Sequence, residues 1–107
     1  MDTQSNSTVD SITKTGIEVL YFSTPTCSVC KVLKPKIIDI INKYNNINFV
    51  YIDTEMQLET SASYSVFAVP TIILTIDGKE YQRFNRNMSL ETFSATIDRY
   101  FNLYTNK

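Results

Sequence analysis

Cys27 and Cys30 are the only cysteines in the chain, and none of its 107 residues is histidine. A Ser/His/Asp triad, a Cys/His nucleophile pair and a histidine-containing zinc site are therefore excluded within one chain. Sulfur chemistry remains. A lone pair of cysteines three residues apart in a cytosolic chain points to redox exchange more often than to a structural staple. Closing so short a loop removes little unfolded-state entropy, on the order of 2 kcal/mol. Stability is a weak reason to have it. A four-cysteine metal site would need a second pair, which only a dimer could supply, so neither metal nor bound cofactor is expected.

The elements around the pair give it a setting. Ile17, Val19, Leu20, Tyr21 and Phe22 form a strand apolar on both faces, as in a covered sheet. From Ser28 the apolar residues switch to helical spacing, with Val29, Leu33, Ile37, Ile40, Ile41 and Tyr44 on one stripe. Both sulfurs then fall in the first turn of a helix, close enough to bond. A helix amino terminus carries about half a positive charge, which favours thiolate over thiol, so the pKa of Cys27 is expected to fall. Lys31 and Lys34 add positive charge nearby. Cys30 lies deeper in the turn, which assigns attack to Cys27 and resolution to Cys30. Pro35 interrupts the helix and predicts a kink.

The sequence NNIN turns the chain into Phe49 to Ile52, a second apolar strand, parallel to the first through a right-handed crossover. A short helix over Gln57 to Tyr64 follows, then a third buried strand at Ile72, Ile73, Leu74 and Ile76. Asp77-Gly78 signals a hairpin into an edge strand over Glu80 to Phe84. Ser89 caps a last helix with Leu90, Phe93, Ile97, Phe101 and Tyr104 on its apolar face. Tyr21, Tyr44, Tyr51 and Tyr104 read as core. Before the first strand, Thr3 to Thr8 are too polar to pack, and a short helix over Val9 to Lys14 can follow. The expectation is a flexible arm over residues 1–8 and one domain over 9–107.

The stretch LYFSTPTCSVCKVLKP resembles the thioredoxin active-site segment: a strand, Cys-x-x-Cys, a lysine directly after it at Lys31, and a proline at Pro35. Val69-Pro70-Thr71 followed by IILTIDGK is similar to that family's Val/Ile-Pro-Thr loop, strand and glycine turn. The resemblance covers about Ile17 to Phe101. It implies an α/β thioredoxin fold, a central mixed four- or five-stranded sheet flanked by helices on both faces. It also implies a cis peptide at Pro70 beside the cysteines and a Val69 backbone that pairs with substrate. Thr26, Val29 and Pro70 would form an apolar rim around Cys27, with Lys31 and Thr71 in support. Two departures stand out. Thr26 replaces the usual tryptophan and Ser28-Val29 the usual Gly-Pro. Tyr21 occupies the place of a buried aspartate that helps deprotonate the second cysteine, and Phe49 that of its lysine partner.

Together these readings describe a thiol-disulfide oxidoreductase that reduces protein disulfides through Cys27 and Cys30, working as a monomer. The resemblance implies recycling by a flavoprotein thioredoxin reductase. The alternative is a thioredoxin-fold binding module with little or no redox turnover. A glutaredoxin would share the cysteine spacing, but the long strand after Pro70 and the Asp77-Gly78 hairpin suit a thioredoxin better. Ten Lys plus Arg against eleven Asp plus Glu leave no basic field for nucleic acid. The stretch Val66 to Ile76 is too short and too interrupted to cross a membrane. MDTQSNSTVDSITK lacks the features of a secretory signal, which makes the cytoplasm the expected location.

Overall fold

The computed structural model describes residues 12, 13 and 15–105. Its elements are β1 (Ile17–Ser23), α1 (Ser28–Ile41), β2 (Ile47–Asp53), α2 (Leu58–Ser63), β3 (Thr71–Ile76), β4 (Lys79–Phe84) and α3 (Leu90–Thr105). The strands form one sheet in the order β2-β1-β3-β4. β1 runs parallel to β2, with Tyr21 opposite Tyr51, and antiparallel to β3, with Tyr21 opposite Ile72. β3 and β4 are antiparallel. This is a mixed four-stranded sheet. The proposed arm over residues 1–8, and with it any fifth strand, lies outside the described residues.

Burial of the central strands follows from alternation. Side chains of a strand point to opposite faces in turn, so a strand enclosed on both sides must be apolar at every position or satisfy its polar groups. On one face Ile17, Val19 and Tyr21 join Ile72 and Leu74 and pack against Ile37 of α1 and Phe93 and Ile97 of α3. On the other, Leu20 and Phe22 join Val50, Ile52 and Ile73, covered by Val66, Tyr64 and Ile12. Burying each of these large side chains contributes roughly 1.5 to 3 kcal/mol. Glu18 is the polar exception in β1. Its carboxylate is buried and accepts hydrogen bonds from the Thr13 amide at 2.9 Å, the Thr13 hydroxyl at 3.1 Å and the Asn48 side-chain amide at 2.9 Å.

Two expectations change in detail. Ile12 and Thr13 are irregular and do not continue a helix; the rest of the segment Val9 to Lys14 is outside the described residues. Thr13 gives its amide to Glu18 and has none for a helical turn. Tyr44 lies beyond the end of α1, which is capped at Asn42. It still reaches α3, its ring 4.8 Å from that of Phe101 and its hydroxyl 3.1 Å from Asp98. α1 continues through Pro35. Ser89 caps α3 by accepting the Thr92 amide at 3.2 Å.

The hairpin at Asp77-Gly78 has positive φ at both central residues, 53° and 85°. That is the backbone a two-residue turn needs to match the twist of its strands. Asp77 also ties the turn to the start of β1, its carboxylate accepting the Gly16 amide at 2.8 Å and its amide donating to the Gly16 carbonyl at 2.9 Å. Among the described residues, no helix is long and apolar enough to cross a membrane.

Candidate active site

A turn delivers the first cysteine. The amide of Cys27 donates to the carbonyl of Thr24 at 3.2 Å, closing a four-residue turn with Pro25 in its second position, where a fixed φ near −65° is favoured. Cys27 then caps α1. It has extended backbone angles, its sulfur accepts the Cys30 amide at 3.2 Å, and its carbonyl accepts the Lys31 amide at 3.2 Å. One of the unpaired N–H groups of the helix end is thus directed at the sulfur that needs negative charge to react.

Cys27 and Cys30 are joined by a disulfide, with Cα atoms 5.2 Å apart. The structure is the oxidised form. The two sulfurs differ in access: Cys27 is half-buried, whereas Cys30 is only 1% exposed and belongs to the core with Ile37 and Ile72. Beneath Cys30 lies Tyr21, fully buried, whose hydroxyl donates to the Cys30 carbonyl at 2.8 Å. Its ring centre is 5.8 Å from that of Phe49 and 6.3 Å from that of Tyr51. Burial, and secondarily the nearby Tyr51, push the Tyr21 phenol up to about 12. Lys34 covers the outer ring of this group, its ammonium 4.5 Å from the centre of Tyr51.

The second loop reaches the same region. The Val69–Pro70 peptide is cis. Val69 packs on the core cluster that Cys27 also touches, and the Thr71 hydroxyl donates to the Ala68 carbonyl at 2.7 Å, bracing the backbone before the proline. Pro70 and Thr71 are buried, so the exposed part of the expected rim consists of Thr26 and Val29. Lys31 is exposed. Among the described residues, no cluster of three or more metal-ligating side chains occurs.

Several features near the site were not legible as site residues. The resemblance places Tyr21 near the second cysteine, but its hydrogen bond to the Cys30 carbonyl depends on how α1 docks. Phe67 reads as part of an apolar stretch, yet it is 86% exposed. Arg83, on β4, donates to the carbonyls of Tyr64 at 2.6 Å and Ser65 at 3.2 Å, holding the segment that leads to Val69.

Known proteins agree with this geometry. The sequence profile of the thioredoxin family matches residues 2–99. A thioredoxin-like protein of Bacillus subtilis, YdfQ, is 32% identical over 85 residues, covering 79% of this chain and 76% of the relative. The structure of thioredoxin 1 from Thermosipho africanus superposes with a TM-score of 0.76 at 37% identity, over 84% of this chain and 99% of the other. That of Fasciola hepatica thioredoxin gives 0.71 at 31% identity, over 80% and 83%. With the fold and the cysteine pair both in agreement, the chain belongs to the thioredoxin family and is a thiol-disulfide oxidoreductase.

Proposed function

We propose that this oxidoreductase works as a reductase of protein disulfides, with Cys27 as nucleophile and Cys30 as resolving thiol. The observation that carries the assignment is the unequal access of two bonded sulfurs, with Cys27 at the helix cap and Cys30 in the core. In the reduced enzyme the Cys27 thiolate attacks one sulfur of a substrate disulfide, and the other leaves as a thiolate. Cys30, as thiolate, then attacks the Cys27 sulfur of the mixed disulfide and expels the second substrate thiolate. The substrate gains two electrons and two protons, and the enzyme is left with the Cys27–Cys30 bond.

Tyr21 does not serve as the base for Cys30, because a phenol pushed up to about 12 stays protonated near neutral pH. It acts as a fixed hydrogen-bond donor, and the Cys30 proton leaves to water. Thr26, Val29 and the Val69–Pro70 loop contact the substrate, Thr71 braces that loop and Lys31 adds positive charge. A thioredoxin reductase restores the dithiol. The enzyme acts as a monomer in the cytoplasm, where thiols are kept reduced, and so contributes to cell redox homeostasis.

The test is trapping. Cys30→Ser accumulates a covalent adduct with an oxidised protein such as insulin, Cys27→Ser forms none, and the wild type reduces insulin catalytically. Insulin that stays oxidised with the wild type, together with partner binding that survives replacement of both cysteines, would instead make the chain a binding module.

A further inference from the structure

A groove of about 550 Å³ lies between α1 and the start of α3. Val29, Val32 and Leu33 of α1 line it together with Met88 and Leu90, and Lys36 is its one charged lining residue. Residues 29, 32, 33 and 36 share one face of a helix, so the groove follows α1 from its first turn into its third. Its size lies in the range of about 300 to 1,000 Å³ found for ligand sites, which are mostly apolar with a few placed polar groups. Val32 and Val29 are 60% and 39% exposed. Apolar side chains left in solvent along a groove mark an interaction surface.

The groove is continuous with the exchange centre, because Ser28, which also lines it, directly follows Cys27 at the cap of α1. Charge says what suits it. α1 carries Lys31, Lys34 and Lys36 before its first acid, Asp39. Lys34 lies over the Tyr51 ring, whereas Lys36 is exposed and makes no hydrogen bond or ion pair among the described residues. An unpaired cation at the end of an apolar wall fits an aliphatic side chain with a carboxylate beyond it. Spacing adds a register. At about 1.5 Å per helical residue, Val32 lies about 7 Å and Lys36 about 13 Å along the axis from Cys27. An extended segment advances about 3.3 Å per residue and covers those distances in two and four residues. Side chains two and four positions from a cysteine in such a segment also share the face of that cysteine.

We propose that this groove binds the flank of a substrate protein's cysteine, taking an aliphatic side chain two residues from that cysteine and a carboxylate four residues from it. The assignment rests on the reductase reading and names the substrate class within it: disulfides set in extended, acidic-aliphatic segments. The aliphatic chain packs among Val32, Leu33 and Met88, whose flexible thioether adjusts to its shape. The carboxylate pairs with the Lys36 ammonium.

The test uses peptides with a single cysteine in mixed disulfide with 2-mercaptoethanol, their second and fourth neighbours on both sides being Leu and Glu, Leu and Lys, or Ala and Glu. Bis(2-hydroxyethyl) disulfide, which has no side chain to place, is the reference, and the rate read is oxidation of the reduced full chain. Each rate is divided by the reference rate, which removes any change in the Cys27 thiolate. The Leu/Glu peptide reacts about threefold faster than Leu/Lys and about fivefold faster than Ala/Glu. Moving Leu and Glu to the first and third neighbours turns them to the other face and loses the advantage. In Lys36→Glu the order of the Leu/Glu and Leu/Lys peptides inverts. Equal rates for the three peptides alongside an active reference overturn the groove and leave the reductase intact. A preference for Glu over Lys that survives Lys36→Glu also overturns it. An inactive reference overturns the reductase reading and the groove with it. A concentration-dependent dimer that Val32→Asp abolishes would assign the groove to a second copy of this chain and overturn the proposal.

Discussion

The phenol of Tyr21 donates a 2.8 Å hydrogen bond to the backbone carbonyl of Cys30, joining the middle of β1 to the first turn of α1 beneath the disulfide. The contact ties the less accessible cysteine to the most enclosed strand of the sheet. Tyr21→Phe keeps the ring and deletes the bond. It lowers stability by about 1 kcal/mol, read as a shift of the urea midpoint of the oxidised protein. An unchanged midpoint would mean that the bond contributes nothing net.

The same residue shapes behaviour in alkali. The folded-state value of Tyr21, about 12, lies above the ordinary phenol value of 10.0. A raised acid contributes stability that is fully present below pH 10 and is lost as pH rises through 12, because the unfolded chain gives up its proton first. The full effect is on the order of 2 to 3 kcal/mol. Stability therefore falls more steeply between pH 10 and 12 in the wild type than in Tyr21→Phe, and phenolate absorbance shows one more late-titrating group in the wild type. Superimposable titrations would contradict this.

Arg83 links the edge strand to the segment before the proline loop. It pairs with Glu80 at 2.9 Å and donates to the carbonyls of Tyr64 and Ser65. α2 ends there with the Ser65 amide on the Ala62 carbonyl and the Val66 amide on the Ser61 carbonyl, with Ser65 at a φ of 56°. Arg83→Ala costs about 1 kcal/mol and speeds hydrogen exchange at the Val66 amide more than at β1 amides. Glu80 is held below its ordinary value of 4.5, chiefly by its hydrogen bond to Arg83. The stabilisation it supplies is present above pH 4.5 and disappears as pH falls through its lowered folded value, so the exchange difference between Arg83→Ala and wild type narrows in acid.

The hairpin offers a backbone test. Gly78 has a φ of 85°, where a side chain is strained, and Gly78→Ala costs roughly 1 to 2 kcal/mol. Asp77→Asn keeps an oxygen for the Gly16 amide and a residue type that tolerates positive φ, so it stays within about 0.5 kcal/mol of the wild type. Thermal unfolding of the two variants side by side distinguishes them. Equal losses would show that the side chain of Asp77, and not the backbone at Gly78, governs the turn.

The sequence by itself determined the order of the strands and main helices, the parallel pairing of β1 with β2, the antiparallel hairpin of β3 and β4 at Asp77-Gly78 and the placement of Cys27 and Cys30 at a strand-to-helix junction. These rest on short-range physics: alternation in strands, the stripe of a helix, the φ that Gly and Asp accept, and the first-turn geometry that brings residues three apart together. Only the tertiary structure decided that the Tyr21 hydroxyl meets the Cys30 carbonyl, that Arg83 grips the segment before Val69, and that Phe67 stands in solvent. Each of these depends on how an element far away in the chain docks. A tyrosine in an apolar strand looks the same in sequence whether its hydroxyl finds a carbonyl or not, because the partner is chosen by packing across the sheet.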